Sequence, residues 1–212
     1  YAFLNDKFSI KPKFLNNVYL GSELKSSNVI KQKIKSKGLN YLLCSNIEDQ
    51  LIKEFEKKRI VGFFNGRMEF GPRALCNRSI FYHCKDKSIN QWINDKLHRT
   101  EFMPFAPVTI EELASRCFVK WDKSHRCSEF MTMTYNCTDE FKKKCPAAVH
   151  IDGTARPQII TKKNNKYMHD ILKKYFKKTG ELALINTSFN KHEEPIVESL
   201  DDAVSALKQN VI

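Results

Sequence analysis

Three stretches of this sequence concentrate groups that hold anions. The first, GRMEFGPRALCNRS at residues 66–79, carries Arg67, Arg73 and Arg78 among Gly66, Gly71 and Pro72. The second, HIDGTARPQ from residue 150, sets Arg156 behind His150, Asp152 and Gly153. The third, NTSFN from residue 186, offers Asn186, Thr187, Ser188 and Asn190. Glycine lets a backbone approach a ligand closely, and a guanidinium presents a rigid fork of donors that matches phosphate or carboxylate. Hydroxyls and amides suit phosphate and ribose oxygens. A charge-assisted hydrogen bond contributes roughly 1.5–3 kcal/mol, so two or three converging arginines hold a phosphate firmly. Any one of these arginines taken alone reads more readily as a structural ion-pair partner, with Glu69, Glu101 and Asp152 at hand. Three such loops in one chain favour a site.

A fourth cluster, HRTEFMPFAP, begins at His98 and includes Arg99. His150, directly before IDGTAR, is a further candidate contact. The sequence has no H-x-x-x-H, H-E-x-x-H, Walker-type or G-x-S-x-G pattern, which argues against a zinc hydrolase, a P-loop enzyme or a serine-elbow hydrolase. Seven cysteines occur without a C-x-x-C pair. Cys117, Cys127 and Cys137 recur at intervals of ten beside His125, but that spacing is wide for structural zinc, and reduced, mostly buried thiols of a cytoplasmic protein fit better. No metal site is expected.

The elements that must position these loops follow from pattern. IVGFF and RSIFYH read as strands on either side of the first loop; NYLLCS, FAPVTI, FMTMTY, AAVHI and ELALI read as further strands. Helices are expected from Glu23 to Lys37 behind Ser22, over residues 47–59, and at DKSINQWINDKL and EELASRCF. Two more are expected at NKYMHDILKKYFKKTG, stopped by Gly180, and at SLDDAVSALKQ. Strands alternating with helices give an α/β fold, and ligands of such sheets sit beyond the carboxyl ends of strands. Residues 1–20 lack a sustained period and read as a linker or the tail of a preceding domain, leaving residues 21–212 as one domain. No apolar run approaches a membrane span.

The 212 residues carry a formal net charge of +12, from 36 basic and 24 acidic side chains. The excess is spread along the chain. Basic surfaces attract nucleic acid, anionic membranes and phosphorylated small molecules alike. Arginine in Gly/Pro-bent loops suits a compact anion better than an extended backbone, and aromatics are not interleaved with these basic residues as stacking on bases would require. Nucleic acid is therefore the lesser alternative, a non-catalytic scaffold the third.

In order, GRMEFGPRAL…NRS, RTEFMPFAP, PAAVHIDGTARPQ and INTSFN…EPIV resemble the signature of the NodU/CmcH-type O-carbamoyltransferases, over about residues 18–205. The match is to their C-terminal, YrdC-like domain. The resemblance implies a YrdC-like twisted mixed sheet with helices packed over it. It also implies a domain that takes carbamoyl phosphate and ATP, with magnesium, and makes carbamoyl-adenylate. A larger N-terminal domain, with an ASKHA-type fold and an iron site, then passes the carbamoyl group to a hydroxyl. Because H-x-x-x-H is lacking, the resemblance gives this chain the first stage and leaves the second, and the iron, to the missing N-terminal domain, its expected partner; a homodimer is also allowed. By similarity Arg73, Arg156 and Ser188 are carried over as catalytic. Arg67, Lys96, Arg99, His150, Asn186, Thr187 and Asn190 join them in binding substrate. Many relatives have glycine where Cys76 stands, arginine where Met103 stands and glycine where Glu193 stands.

Overall fold

The computed structural model describes residues 2–11, 16–23, 26–96, 105–190 and 194–209; within these, the side chain of Lys96 falls outside the description. Its helices are α1 (Ala2–Phe8), α2 (Ser27–Ser36), α3 (Ile47–Glu56), α4 (Ser88–Lys96), α5 (Glu111–Cys117), α6 (Asp139–Lys144), α7 (Lys166–Thr179) and α8 (Leu200–Lys208). Its strands are β1 (Val61–Phe64), β2 (Arg78–His83), β3 (Ala106–Ile110), β4 (Tyr135–Asn136), β5 (Thr154–Ala155), β6 (Gln158–Ile160) and β7 (Leu184–Ser188). Five strands form one mixed sheet in the order β1-β2-β7-β3-β6, and β4 and β5 form a short ribbon.

The central strands are buried along their whole length, as β2 (RSIFYH) and β3 (APVTI) both show. Strands covered on both faces lose the polar alternation of a half-exposed sheet, so such runs read as continuous apolar stretches. α3 starts where the Asn46 side chain accepts the Asp49 N–H at 3.0 Å, and it buries Leu51, Ile52 and Phe55. α7 starts at Asn165, whose side chain accepts the Met168 N–H at 3.0 Å. It ends at Gly180, whose φ of +71° only glycine adopts without strain. Phe55 of α3 meets Phe81 of β2 and Tyr175 of α7 edge-on, at centroid distances of 6.4 and 5.7 Å. Helix, helix and strand therefore share one seam of core, and α8 is fixed at its start by a reciprocal Ser199–Asp202 capping box.

Several expected elements differ. The first long helix begins at Ser27, capped by Ser26 rather than Ser22, because the backbone of residues 18–22 is already paired. Gly21 N–H donates to Met68 O at 2.9 Å, Met68 N–H to Ser22 O at 2.8 Å and Phe70 N–H to Val18 O at 2.7 Å. The end of the stretch read as a linker is thus docked on the first arginine loop, and Ala2–Phe8 is helical. NYLLCS forms no strand: Leu42 and Leu43 are 88% and 71% exposed. AAVHI forms none either. Pro146 opens a 3₁₀ turn at Pro146–Ala148, and His150 closes the next turn by donating its N–H to Thr154 O at 2.8 Å. Of FMTMTY only Tyr135 enters a strand, since a 3₁₀ turn at Arg126–Phe130 ends in Met131 at φ +54°.

The mixed sheet also changes where the loops lie. β1 pairs antiparallel with β2, β2 and β3 pair antiparallel with β7, and β3 runs parallel to β6. One end of the sheet therefore gathers the carboxyl ends of β1 and β7 with the amino ends of β2, β3 and β6. All three anion-loop sequences reach that end, although only two of them follow a carboxyl end. Among the described residues no helix is long and apolar enough to cross a membrane.

Arg78 anchors this end from below. It is fully buried and stacks 3.7 Å over the Phe64 ring. Its guanidinium donates to the carbonyls of Asn65 at 2.8 Å, Asn77 at 3.0 Å, Gly66 at 3.2 Å and Ser22 at 3.4 Å. Arg78→Met should leave those carbonyls unsatisfied and lower stability by about 3 kcal/mol or more. Urea unfolding measures this, and a change under about 0.5 kcal/mol would contradict the anchoring role.

Candidate functional site

The loop between β1 and β2 turns on three positive φ angles, at Gly66 (+47°), Gly71 (+127°) and Cys76 (+83°). Inside the turn lies the buried carboxylate of Glu69, 2% exposed. Its Oε1 accepts the backbone N–H of Leu75, and those of Asn77 and Arg78 at 3.2 Å each. Converging backbone amides form a nest that a negative charge completes. The sequence raised Glu69 as an ion-pair partner; the structure makes it the internal anion around which the loop is wound.

The three arginines of that loop separate by role. Arg78 is the anchor already described. Arg67 is exposed, and its guanidinium donates to Leu20 O at 3.0 Å and Gly21 O at 3.2 Å. It straps the preceding segment to the loop. Arg73 is half-buried, and among the described residues it has no carboxylate within 4.0 Å.

Arg156, in the connection from β5 to β6, is also half-buried, and its Nε is buried without a hydrogen-bond partner among the described residues. Burial holds its guanidinium below the ordinary arginine range, and the charge of Arg73 lowers it further. Arg156 therefore lies within the electrostatic field of Arg73. His150 belongs to the same field: burial depresses its imidazole first, Asp152 pulls it up, and Arg156 pushes it down. Its Nδ1 lies 3.1 Å from Thr154 Oγ1, while Asp152 Oδ1 accepts the Thr154 N–H at 2.9 Å and hydroxyl at 2.7 Å. His150 lines a cleft of about 850 Å³ with Asn90, Ala147, Val149 and Asp152.

A separate cleft of about 690 Å³ is lined by Gly71, Pro72, Ser188 and Asn190, with Glu194 and Glu198. Pro72 joins this cleft directly to Arg73. Asn190 donates from Nδ2 to Glu194 O at 2.7 Å. Alternation along β7 turns Thr187 to the face opposite Ser188, so the two hydroxyls do not share one ligand. Asn186 is 2% exposed and spends its amide N–H groups on Gln158 Oε1 at 2.7 Å and Ala74 O at 3.2 Å. It supports the residue next to Arg73 and does not line this cleft.

Cys76 keeps the turn that glycine makes in many relatives. A non-glycine φ of +83° carries strain of order 1–3 kcal/mol. Burial pushes the thiol up, keeping it protonated, and Sγ donates to Gln158 Oε1 at 3.1 Å. Gln158 thus binds both Cys76 and Asn186, a role that nothing in the spacing of TARPQ signals. Arg99, Met103 and Glu193 lie outside the described residues, as does the Lys96 side chain. Cys117 and Cys137 are buried and Cys127 is exposed. Among the described residues no group of three or more His, Cys, Asp or Glu side chains is placed to hold a metal ion.

Comparison with known proteins accords with this arrangement. Residues 52–212 match the family model described as carbamoyltransferase C-terminus. An uncharacterized protein of Methanocaldococcus jannaschii is 41% identical over 150 residues, covering 70% of this chain and 24% of that protein. Nodulation protein NolNO of Sinorhizobium fredii is 33% identical over 194 residues, covering 90% of this chain and 28% of its own length. The chain thus spans about a quarter of the length of these relatives. Among solved structures, full-length HypF in a phosphate- and nucleotide-bound form aligns with a TM-score of 0.54 at 13% identity, over 80% of this chain and 20% of that one. That likeness is one of fold. The family match, together with the nodulation relatives, shows that the chain belongs to the carbamoyltransferase C-terminus family, as a NodU-type C-terminal domain.

Proposed function

We propose that this chain binds carbamoyl phosphate and ATP and joins them into carbamoyl-adenylate, which the remainder of a longer enzyme passes to a hydroxyl acceptor. The observation that carries the reading is Arg73 and Arg156, two half-buried guanidinium groups on loops at one end of the sheet, without a carboxylate partner among the described residues and with the charge of Arg73 bearing on Arg156. Holding like charges together costs free energy that a bound phosphate anion removes. Sequence similarity to the nodulation proteins and the fold shared with the phosphate- and nucleotide-bound HypF support it.

Arg73 and Arg156 would neutralise the phosphate groups and stabilise charge that develops during adenylyl transfer. Ser188 and Asn190, beside Gly71 and Pro72, would orient the nucleotide in the 690 Å³ cleft, a size typical of small-molecule sites. The balance is one carbamoyl phosphate, one ATP and one water, giving carbamoyl-adenylate, phosphate and pyrophosphate. No side-chain nucleophile takes part; positioning supplies much of the rate. Magnesium would arrive with ATP, bound chiefly through its phosphates. Seven free cysteines suit work in a reducing cytoplasm.

Calorimetry in magnesium buffer should show binding of both ligands. Arg73→Ala and Arg156→Ala should each weaken carbamoyl phosphate binding by about tenfold or more with an unchanged circular dichroism spectrum. Unchanged affinity in both, or loss of the fold in both, would contradict the assignment. Pyrophosphate release should require carbamoyl phosphate and be lost in Ser188→Ala. Carbamoyl phosphate-independent release would contradict the proposed reaction.

A further inference from the structure

The backbone before α2 belongs to the arginine loop as closely as the loop's own residues do. Tyr19 donates its hydroxyl to Leu75 O at 2.7 Å, two residues past Arg73, and the same oxygen accepts Asn165 Nδ2 at 2.8 Å. Asn165 is the N-cap of α7, so the hydroxyl ties the loop to the start of the long core helix. The Tyr19 backbone N–H is held in turn by Asn17 Oδ1 at 3.1 Å. Burial pushes the phenol well above the ordinary tyrosine range, keeping it a neutral donor.

Apolar packing repeats the same connection. Leu75, Ala106 and Met131 form a small buried cluster apart from the main core, and Val18, Tyr19 and Phe130 pack against it. Leu75 comes from the arginine loop, and Ala106 from the amino end of β3. On the loop's other flank, residues 18–22 pair with Met68 and Phe70, and Arg67 reaches back to the carbonyls of Leu20 and Gly21. The segment grips the loop on both sides of Arg73.

We propose that Tyr19 is a positioning residue for Arg73, acting through Leu75, and that residues 17–22 form a clamp that sets the geometry of the anion site. The consequence for binding rests on the functional reading above; the clamp itself does not. A guanidinium on a loop wound through three positive φ angles has many alternative placements, and fixing the carbonyl two residues away removes most of them. Preorganisation of this kind raises affinity by cutting the ordering cost at binding.

The test uses the 212-residue chain with Tyr19→Phe, which keeps the ring in its cluster and removes only the hydroxyl. Arg67→Gln loosens the other flank and serves as a second variant. Amide hydrogen exchange is followed over residues 67–78 and over β2 and α7, and carbamoyl phosphate affinity is measured in parallel. Exchange over residues 67–78 should accelerate by about tenfold, the worth of one or two hydrogen bonds, while β2 and α7 keep their protection. Affinity should fall by a similar factor. Unchanged exchange over residues 67–78, or acceleration spread equally through β2 and α7, would overturn the clamp. If the unsubstituted chain binds no carbamoyl phosphate, the functional reading fails and the exchange pattern alone decides the clamp.

Discussion

A carboxylate sealed inside a loop organises the site end of this domain. Glu69 is withdrawn from water and compensated by three backbone amides donated by the turn that encloses it. Burying a charge is costly unless it is hydrogen-bonded in this way. The amides of Leu75, Asn77 and Arg78 converge on Glu69, while the carbonyls of Asn65, Gly66 and Asn77 turn toward Arg78. Arg78, buried beneath, collects those carbonyls and stacks on Phe64. The side chain of Arg73 takes part in neither arrangement and has no carboxylate partner among the described residues.

The second requirement is electrostatic. Arg73 and Arg156 come from distant parts of the sequence, on loops that reach the same end of a mixed sheet. Arg156 is partly desolvated, and the charge of Arg73 adds to the cost of its own. Structural arginines in the same molecule resolve that cost differently. Arg78 binds carbonyls, Arg116 pairs with Glu140, and Arg126 pairs with Glu129 at 3.1 Å. Arg73 and Arg156, by contrast, have no carboxylate partner among the described residues.

Much of this was legible in the sequence, for identifiable reasons. β2, β3, α3 and α7 carry strong periodic or continuous apolar patterns, and Gly180 marks the end of α7. Two of the polar loops stood out because arginine and glycine rarely share a turn without a cause, and NTSFN because it lines up hydroxyls and amides at the end of an apolar run. What the pattern could not supply was partnership. Arg67, Arg73 and Arg78 look equivalent in sequence, and only three-dimensional hydrogen bonding separates the strap Arg67 and the anchor Arg78 from Arg73. AAVHI has the composition of a strand, but Pro146 and the His150–Thr154 turn remove its backbone from the sheet. Asn186 reads as a ligand donor until Gln158 and Ala74 are found to use it. Tyr19 gave no signal, since its role depends on Leu75 and Asn165, far away in the chain.

The central claim is that Arg73 and Arg156 together receive the phosphate while Arg78 does not. Arginine side-chain Nε–H resonances, recorded on ¹⁵N-arginine-labelled protein during titration with carbamoyl phosphate, test this directly. The account predicts saturable shifts of Arg73 and Arg156 with a common midpoint, and an Arg78 signal that stays in place. Saturable shifts confined to Arg67 or Arg78, or no shift of Arg156 at saturation, would contradict it.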